Sequence, residues 1–282
     1  MPLEGHSRGQ TPRARALDLP PPFHLVRLRE VGDAFVHACT HGAELGAGTL
    51  VFVGRFDLAE FAVVLEPDEP VTLAWRALYA GMVALADALA TLAPPKKRIA
   101  IEWPDAIRLD GRLVGGGRLG WPEGADEAEP PPWLVFCSMI RTASMAGDSS
   151  GPPTLTTALE DEGFEDVGSD RLVESFAKHL MREIDHWRNA GFIAIANNYV
   201  SYLERRAGVC HDIGDNGELV VTRVGRPVEH HWPGPKLAAP SWLGPHSGGP
   251  RAFSFHQNEN GPGETVDPVT LAGGDPRRGA RE

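Results

Sequence analysis

The densest concentration of residues able to handle a negatively charged ligand lies in IEWPDAIRLDGRLVGGGRLG, residues 101–120. It reads as a strand, a Trp-Pro corner, a second strand, an Asp-Gly hairpin turn and then three consecutive glycines, Gly115, Gly116 and Gly117. Glycines let a backbone approach a ligand closely, or let a strand bend sharply. Arg112 and Arg118 flank them, and two fixed positive charges beside exposed amides suit a carboxylate or a phosphate. The same residues also fit a glycine-rich hairpin with surface arginines, and both readings stay open on local sequence.

Other chemistry-bearing side chains are less well grouped. His37 and His41 stand four apart on a helical segment, as a metal pair would, but no carboxylate signature accompanies them, so they read as helix-surface histidines. His179, Glu183 and His186 share a helix face without the order of a zinc motif and read as solvated; His230-His231 reads as loop. No metal site is expected. Cys137 sits in an apolar strand, where an inert thiol is the default. Trp103 and Trp121 fit either the walls of an apolar pocket or ordinary packing.

The elements that must position these residues show in the hydrophobic periodicity. Residues 30–45 and 72–92 read as helices, the second with Trp75, Leu78, Met82, Leu85, Leu89 and Leu92 on one stripe. A third helix is expected from a cap at Asp170 to a stop at Gly191, and a fourth over 192–206. Short apolar runs at 49–53, 61–65, 99–101, 107–109 and 133–140 read as strands, with FDLAE (56–60) as connection. Strands and helices mix without a regular βαβ alternation, which predicts an α+β fold. Ordered structure is expected from Phe23 onward, so the chain divides into a flexible segment 1–22, a main domain 23–207, a small β unit 208–232 and a Gly/Pro-rich, largely irregular tail 233–282. In that tail only Trp242 and Phe253-Ser254-Phe255 are candidates for docking.

Composition narrows the function classes. A net charge of -11 argues against nucleic-acid binding, which relies on clustered surplus cations. Of 27 lysines and arginines only Lys96, Lys97, Lys178 and Lys236 are lysines. Three dispersed cysteines form neither a metal motif nor a disulfide framework and point to a reducing, cytoplasmic compartment. No uninterrupted apolar run approaches the ~20 residues a membrane-spanning helix needs, and the N-terminus has no signal-peptide core.

EWPDAI…DGRLVGGGRL resembles the KWPND…(D)G+K(L/V)(A/G)GIL segment of biotin protein ligases, within the biotin/lipoate protein ligase family. Trp103, Pro104, Asp110, Gly111, Arg112, Val114, Gly115 and Gly116 fit without gaps. The likeness extends to the preceding helix at 72–92, to RLVESF…WRNAGF at 171–192, and to GVCHDIGDNGELVV at 208–221, so it covers about residues 25–230. It implies the fold these ligases share with class II aminoacyl-tRNA synthetases: a mixed, mainly antiparallel sheet flanked by helices, with a small C-terminal SH3-like β unit. It also implies activation of a biotin- or lipoate-type acid by ATP with Mg2+, giving an acyl-adenylate, and transfer of the acyl group to a lysine of an acceptor protein. Nucleic acid and membrane are not implied as partners. On this resemblance Arg112 and Asp105 take the catalytic positions, while Arg55, Trp103, Gly115, Gly116, Gly117 and Arg118 bind ATP and the acyl acid. Four positions depart from the family pattern. The family lysine falls on Leu113 in ungapped register, beside Arg112; KWPND becomes Glu102-Trp103-Pro104-Asp105-Ala106. The Arg-rich adenylate loop shortens to Val53-Gly54-Arg55-Phe56-Asp57, and the family's GxGxN strand end becomes FCSMIR, 136–141, without asparagine. A second expectation follows from these departures: the same scaffold as a binding module for a small acid or carrier domain, without adenylation.

Overall fold

The structure, a computed structural model, describes residues 15–144, 155–244 and 248–251. Seven strands form one sheet. β1 (His24–Leu28), β2 (Thr49–Gly54) and β3 (Leu58–Leu65) are followed along the chain by β4 (Ile99–Glu102), β5 (Ala106–Leu109), β6 (Arg112–Gly120) and β7 (Leu134–Arg141), in spatial order β1-β2-β3-β7-β6-β5-β4. β1 runs parallel to β2 and every other pair is antiparallel. This is the expected mixed, mainly antiparallel α+β sheet. The expected small β unit is a separate three-stranded sheet of β8 (Val209–Ile213), β9 (Leu219–Arg223) and β10 (Glu229–His231).

The two faces of the large sheet are covered differently. On one, α3 (Ala77–Leu92), α4 (Ser169–Ala190) and α5 (Phe192–Tyr202) bury Phe52, Phe61, Phe136 and Phe176 together with Leu78, Met82 and Leu85. Each such side chain contributes about 1.5–3 kcal/mol when fully removed from water. On the other, α1 (Ala34–Leu45) lays Ala34 and Ala38 on Val51, Val53, Ala62, Val64 and Cys137 and sets Phe35 and Cys39 on Gly120 at the end of β6, leaving the rest of β6 uncovered by a helix layer. The rest of this second face, over β6 and the ends of β3 and β5, carries the site described below.

Several local expectations are corrected by tertiary contacts. The 72–92 helix is two pieces, α2 (Val71–Ala74) and α3, broken at Trp75-Arg76. There the Arg76 guanidinium bonds back to Leu73, pairs with Glu69 and reaches across to the Asp215 carbonyl. β3 begins at Leu58 because it pairs with β7 back to Leu58↔Arg141, so most of FDLAE is strand. α1 starts at Ala34, capped by the Asp33 carboxylate on the Val36 amide. α4 starts one residue before the expected cap: Gly168 takes the N-cap position and Asp170 lies in the first turn. α5 stops at Tyr202 because Leu203 turns extended and bridges to Ile101. Glu183 is buried rather than solvated, accepting from Arg182 and Asn198. Residues 15–22 run across the molecule, with Arg15 and the Asp18 amide both bonded to Glu174. Phe253–Phe255 lie outside the described residues.

Candidate active site

The register gathers the site. β6 pairs with β7 through Gly115↔Ile140, Gly116↔Met139, Gly117↔Ser138 and Arg118↔Cys137, and with β5 through Ala106↔Gly116. A bulge where β6 passes Ile107/Arg108 shifts the strand, and Gly115 takes φ 151°, a conformation that disfavours any side chain. A Cβ on Gly115 would also overlap the Met139 carbonyl. Gly117 faces the helix side, against Met82 and Phe136. Gly116 faces the second side, in a trough with Leu58, Ala106, Leu113 and Met139 around it. The three glycines therefore do different work: one permits the bulge, one admits the helix layer and one leaves the trough floor bare.

Cations stand at one end of this face. β2 ends at Gly54, β3 begins at Leu58 and β7 ends at Arg141, so the short connection carrying Arg55 meets Arg141 there. A cavity of about 150 Å³ is lined by Arg55, Asp57, Leu58, Arg141 and the backbone of Gly248-Gly249-Pro250. Arg55 holds Asp57 through two bonds, Nε to Oδ1 at 3.2 Å and Nη2 to Oδ2 at 3.0 Å. This pairing lowers the Asp57 carboxyl below its ordinary value and raises Arg55. Arg141 donates to the Pro250 carbonyl at 3.1 Å.

Arg112 stands at the same end of the sheet but turns to Glu162, a carboxylate with 1% of its side chain exposed that also takes Lys97 at 2.7 Å and Thr157 at 2.6 Å. Leu113, where the family lysine falls, is 3% exposed and belongs to the trough cluster. Arg118 lies farther along the same face beside Cys137, its guanidinium 3.7 Å from the centroid of Phe35 and 3.9 Å from Asp33. Its buried Nε has no hydrogen-bond partner among the described residues. Burial pushes the Cys137 thiol up to about 12 despite this neighbour, so it is an inert packing residue.

Asp105 is 2% exposed, and both carboxylate oxygens are taken by Ser241: Oδ1 accepts the hydroxyl at 2.5 Å and Oδ2 the amide at 2.8 Å. Burial raises its carboxyl, opposed by those two bonds and by Lys236. Trp103 is placed away from the trough. Its indole N–H donates to Tyr79 Oη at 3.1 Å, Tyr79 Oη donates to the Gly217 carbonyl at 2.5 Å, and Lys236 lies over the ring at 4.8 Å. The Trp-Pro corner thus joins the main domain to the small sheet. Of the residues singled out from sequence, the structure brings Arg55, Asp105, Gly116 and Arg118 to the second face; Gly115 and Gly117 shape it, and Arg112 and Trp103 are engaged elsewhere. Sequence reasoning did not select Arg141, Ser241 or Glu162. Trp242 was marked only as a docking residue, by its isolation in a Gly/Pro-rich stretch.

This sheet, with its glycine strand and clustered arginines, is the biotin protein ligase fold. The structure is similar to a biotin protein ligase-like protein of unknown function from Silicibacter sp. TM1040, with TM-score 0.65 and 25% identity over 77% of this chain and 96% of that one. It also resembles the biotin protein ligase of Aquifex aeolicus, with TM-score 0.58 and 12% identity over 74% of this chain and 95% of that one. The same Aquifex enzyme in complex with biotin and ATP matches with TM-score 0.54 and 12% identity, over 73% and 94% of the two chains. The chain belongs to the biotin/lipoate A/B protein ligase family, whose model matches residues 19–201. No curated protein sequence matches it.

Proposed function

We propose that this protein activates a biotin- or lipoate-type carboxylic acid with ATP and passes the acyl group to a lysine of an acceptor protein. The observation that carries this reading is the trough floor at Gly116, free of a side chain of its own and covered by Trp242, running toward an end of the sheet where Arg55 and Arg141 line one cavity, in a chain of this family. In the reaction a carboxylate oxygen attacks the α-phosphorus of ATP and the bond to pyrophosphate breaks, leaving acyl-adenylate. The acceptor amine then forms an amide with the acyl carbon, releasing AMP and a proton. The protein's task is to stabilise charge growing at phosphorus, which fixed guanidinium groups do well. In this reading Arg55 and Arg141 supply that charge, and Arg112 joins them on exchanging Glu162 for a phosphate. Asp105 orients the acid or the adenylate when it is released from Ser241. Mg2+ fits as the ion carried by ATP rather than in a protein cage, because among the described residues no three His, Cys, Asp or Glu side chains converge.

A second reading, a binding module that holds a small acid or carrier domain without adenylation, is favoured by one observation: an apolar, buried Leu113 stands where the family has its lysine. Calorimetric titration of the full chain with biotin, lipoate and octanoate separates the two. The ligase reading expects Mg-ATP to convert weak, reversible acid binding into a tight, slowly released complex. The module reading expects acid binding that Mg-ATP leaves unchanged.

A further inference from the structure

The trough on the second face is filled by the protein's own C-terminal segment. Trp242 is wholly buried, with its indole against Gly116, where any Cβ would overlap the ring and the Asp105 carbonyl. Its N–H donates to the Gly117 carbonyl at 2.9 Å, one residue beyond the last β5–β6 pair, Ala106↔Gly116. Next to it Ser241 satisfies both oxygens of Asp105. The chain then doubles back: Leu243 bridges Pro250, the Arg251 amide donates to the Trp242 carbonyl at 2.8 Å, and Arg141 holds the Pro250 carbonyl.

The polar groups that Ser241 and the Trp242 indole meet are all acceptors: Asp105 Oδ1, Asp105 Oδ2 and Gly117 O. Buried acceptors stripped of their donors are costly to leave unmet. Whatever replaces the segment has to be flat enough to lie on Gly116 and has to bring N–H donors to these oxygens. A straight-chain acid or a dithiolane acid offers no ring N–H; the cyclic urea of biotin and the amino-bearing ring of adenine do.

We propose that Ser241-Trp242 is a self-seated plug, a stand-in for the heterocycle of the ligand, and that the trough beneath it selects flat heterocycles carrying N–H donors. The plug has to leave before such a ligand binds. The choice of ligand class rests on the function proposed above; the plug and the donor selection do not.

The test uses the full chain, wild type and Trp242→Ala, titrated with indole, 1-methylindole, biotin, lipoate and ATP. Indole fits the vacated space and keeps the donor, whereas 1-methylindole cannot donate. The expected result is indole binding to Trp242→Ala about tenfold or more tighter than 1-methylindole. Biotin or ATP, but not lipoate, should bind the variant about tenfold or more tighter than wild type, because the competent state is no longer masked. Which of the two gains identifies the ring. If Trp242→Ala does not fold, Trp242→Phe keeps the ring, loses the N–H and has to raise affinity for the same ligand in the same direction. Equal affinity of wild type and variants for biotin and ATP, or no preference for indole, overturns the plug. Indole selection with a gain for ATP but no response to any acid keeps the plug and removes the acyl-acid reading.

Discussion

The indole nitrogen of Trp242 lies 2.9 Å from the carbonyl oxygen of Gly117, although the two residues are 125 positions apart. The contact joins the most glycine-rich strand of the sheet to a segment beyond both folded units. Gly116 makes it possible, because a side chain there would occupy the volume the ring takes. Gly116→Ala is therefore expected to expel the plug or strain the strand, lowering stability by about 1–3 kcal/mol, as overpacking does. Gly111→Ala is the comparison: its φ is 86° with no atom within 4 Å of an added Cβ, so the cost is conformational strain alone, about 1 kcal/mol. Denaturant unfolding measures both, and proteolytic release of the segment after residue 239 in Gly116→Ala alone marks the difference.

Glu162 gathers Lys97, Arg112 and Thr157 around a carboxylate with 1% of its side chain exposed. Removing it in Glu162→Ala leaves Lys97 paired with Asp110 at 2.8 Å but takes the carboxylate from Thr157 and Arg112, so a loss of about 1–3 kcal/mol is expected. Arg112 is 45% exposed at its side chain, and Lys97 stays to neutralise Glu162 when it goes. Arg112→Ala should then cost about 1 kcal/mol or less. Comparable losses from the two substitutions would contradict this division of labour.

Asp105 imposes a pH dependence whose sign follows from its burial. Its folded value lies above the ordinary 3.8, so between the two values the folded protein holds more protons than the unfolded chain. Stability from this group is fullest at low pH and falls as pH rises through that window. Asp105→Asn removes the titration. The wild-type minus Asp105→Asn stability difference should shrink or change sign between about pH 3.5 and pH 7, read by urea unfolding at each pH. A difference that grows with pH would show that the Ser241 bonds outweigh desolvation.

The hydroxyl of Tyr79 donates to Gly217 and accepts from Trp103, fastening the small sheet to the helix layer. Tyr79→Phe leaves a buried carbonyl and an indole N–H without this partner, an expected loss of about 1–3 kcal/mol. Hydrogen exchange should localise it, with protection falling in Val209–Arg223 while the large sheet keeps its own.

Legibility in the sequence followed the range of the forces involved. The hairpin at Asp110-Gly111 was readable because two successive left-handed residues need that dipeptide, and both have positive φ. α3 was readable from its apolar spacing, although the structure buries it on nearly every side, Leu78 to Ala86 without a gap. The break at Trp75-Arg76 was not, since one of the groups that holds Arg76 there is a carbonyl at Asp215, far along the chain. Glu60 escaped notice inside an apparent loop, yet it is 2% exposed and caps the start of α1 by accepting from Ala34. The family motif drew attention to Asp105, Gly116 and Arg55, which lie in the turn before β5, on β6 and in the connection after β2. Motif order says nothing, however, about which side a side chain takes, and Trp103 and Arg112 were lost to partners on other elements. Trp242 carries no periodicity around it; only the trough that receives it explains its burial.

The most direct measurement is pyrophosphate release by the full chain from Mg-ATP with biotin, lipoate, octanoate or no acid, beside Arg55→Ala. Acid activation on this face predicts release only when an acid is present, with a drop of about 10²-fold or more in Arg55→Ala if its guanidinium meets the developing phosphate charge. Release that no acid raises above the acid-free rate, from folded protein assayed beside an active control ligase, would contradict it.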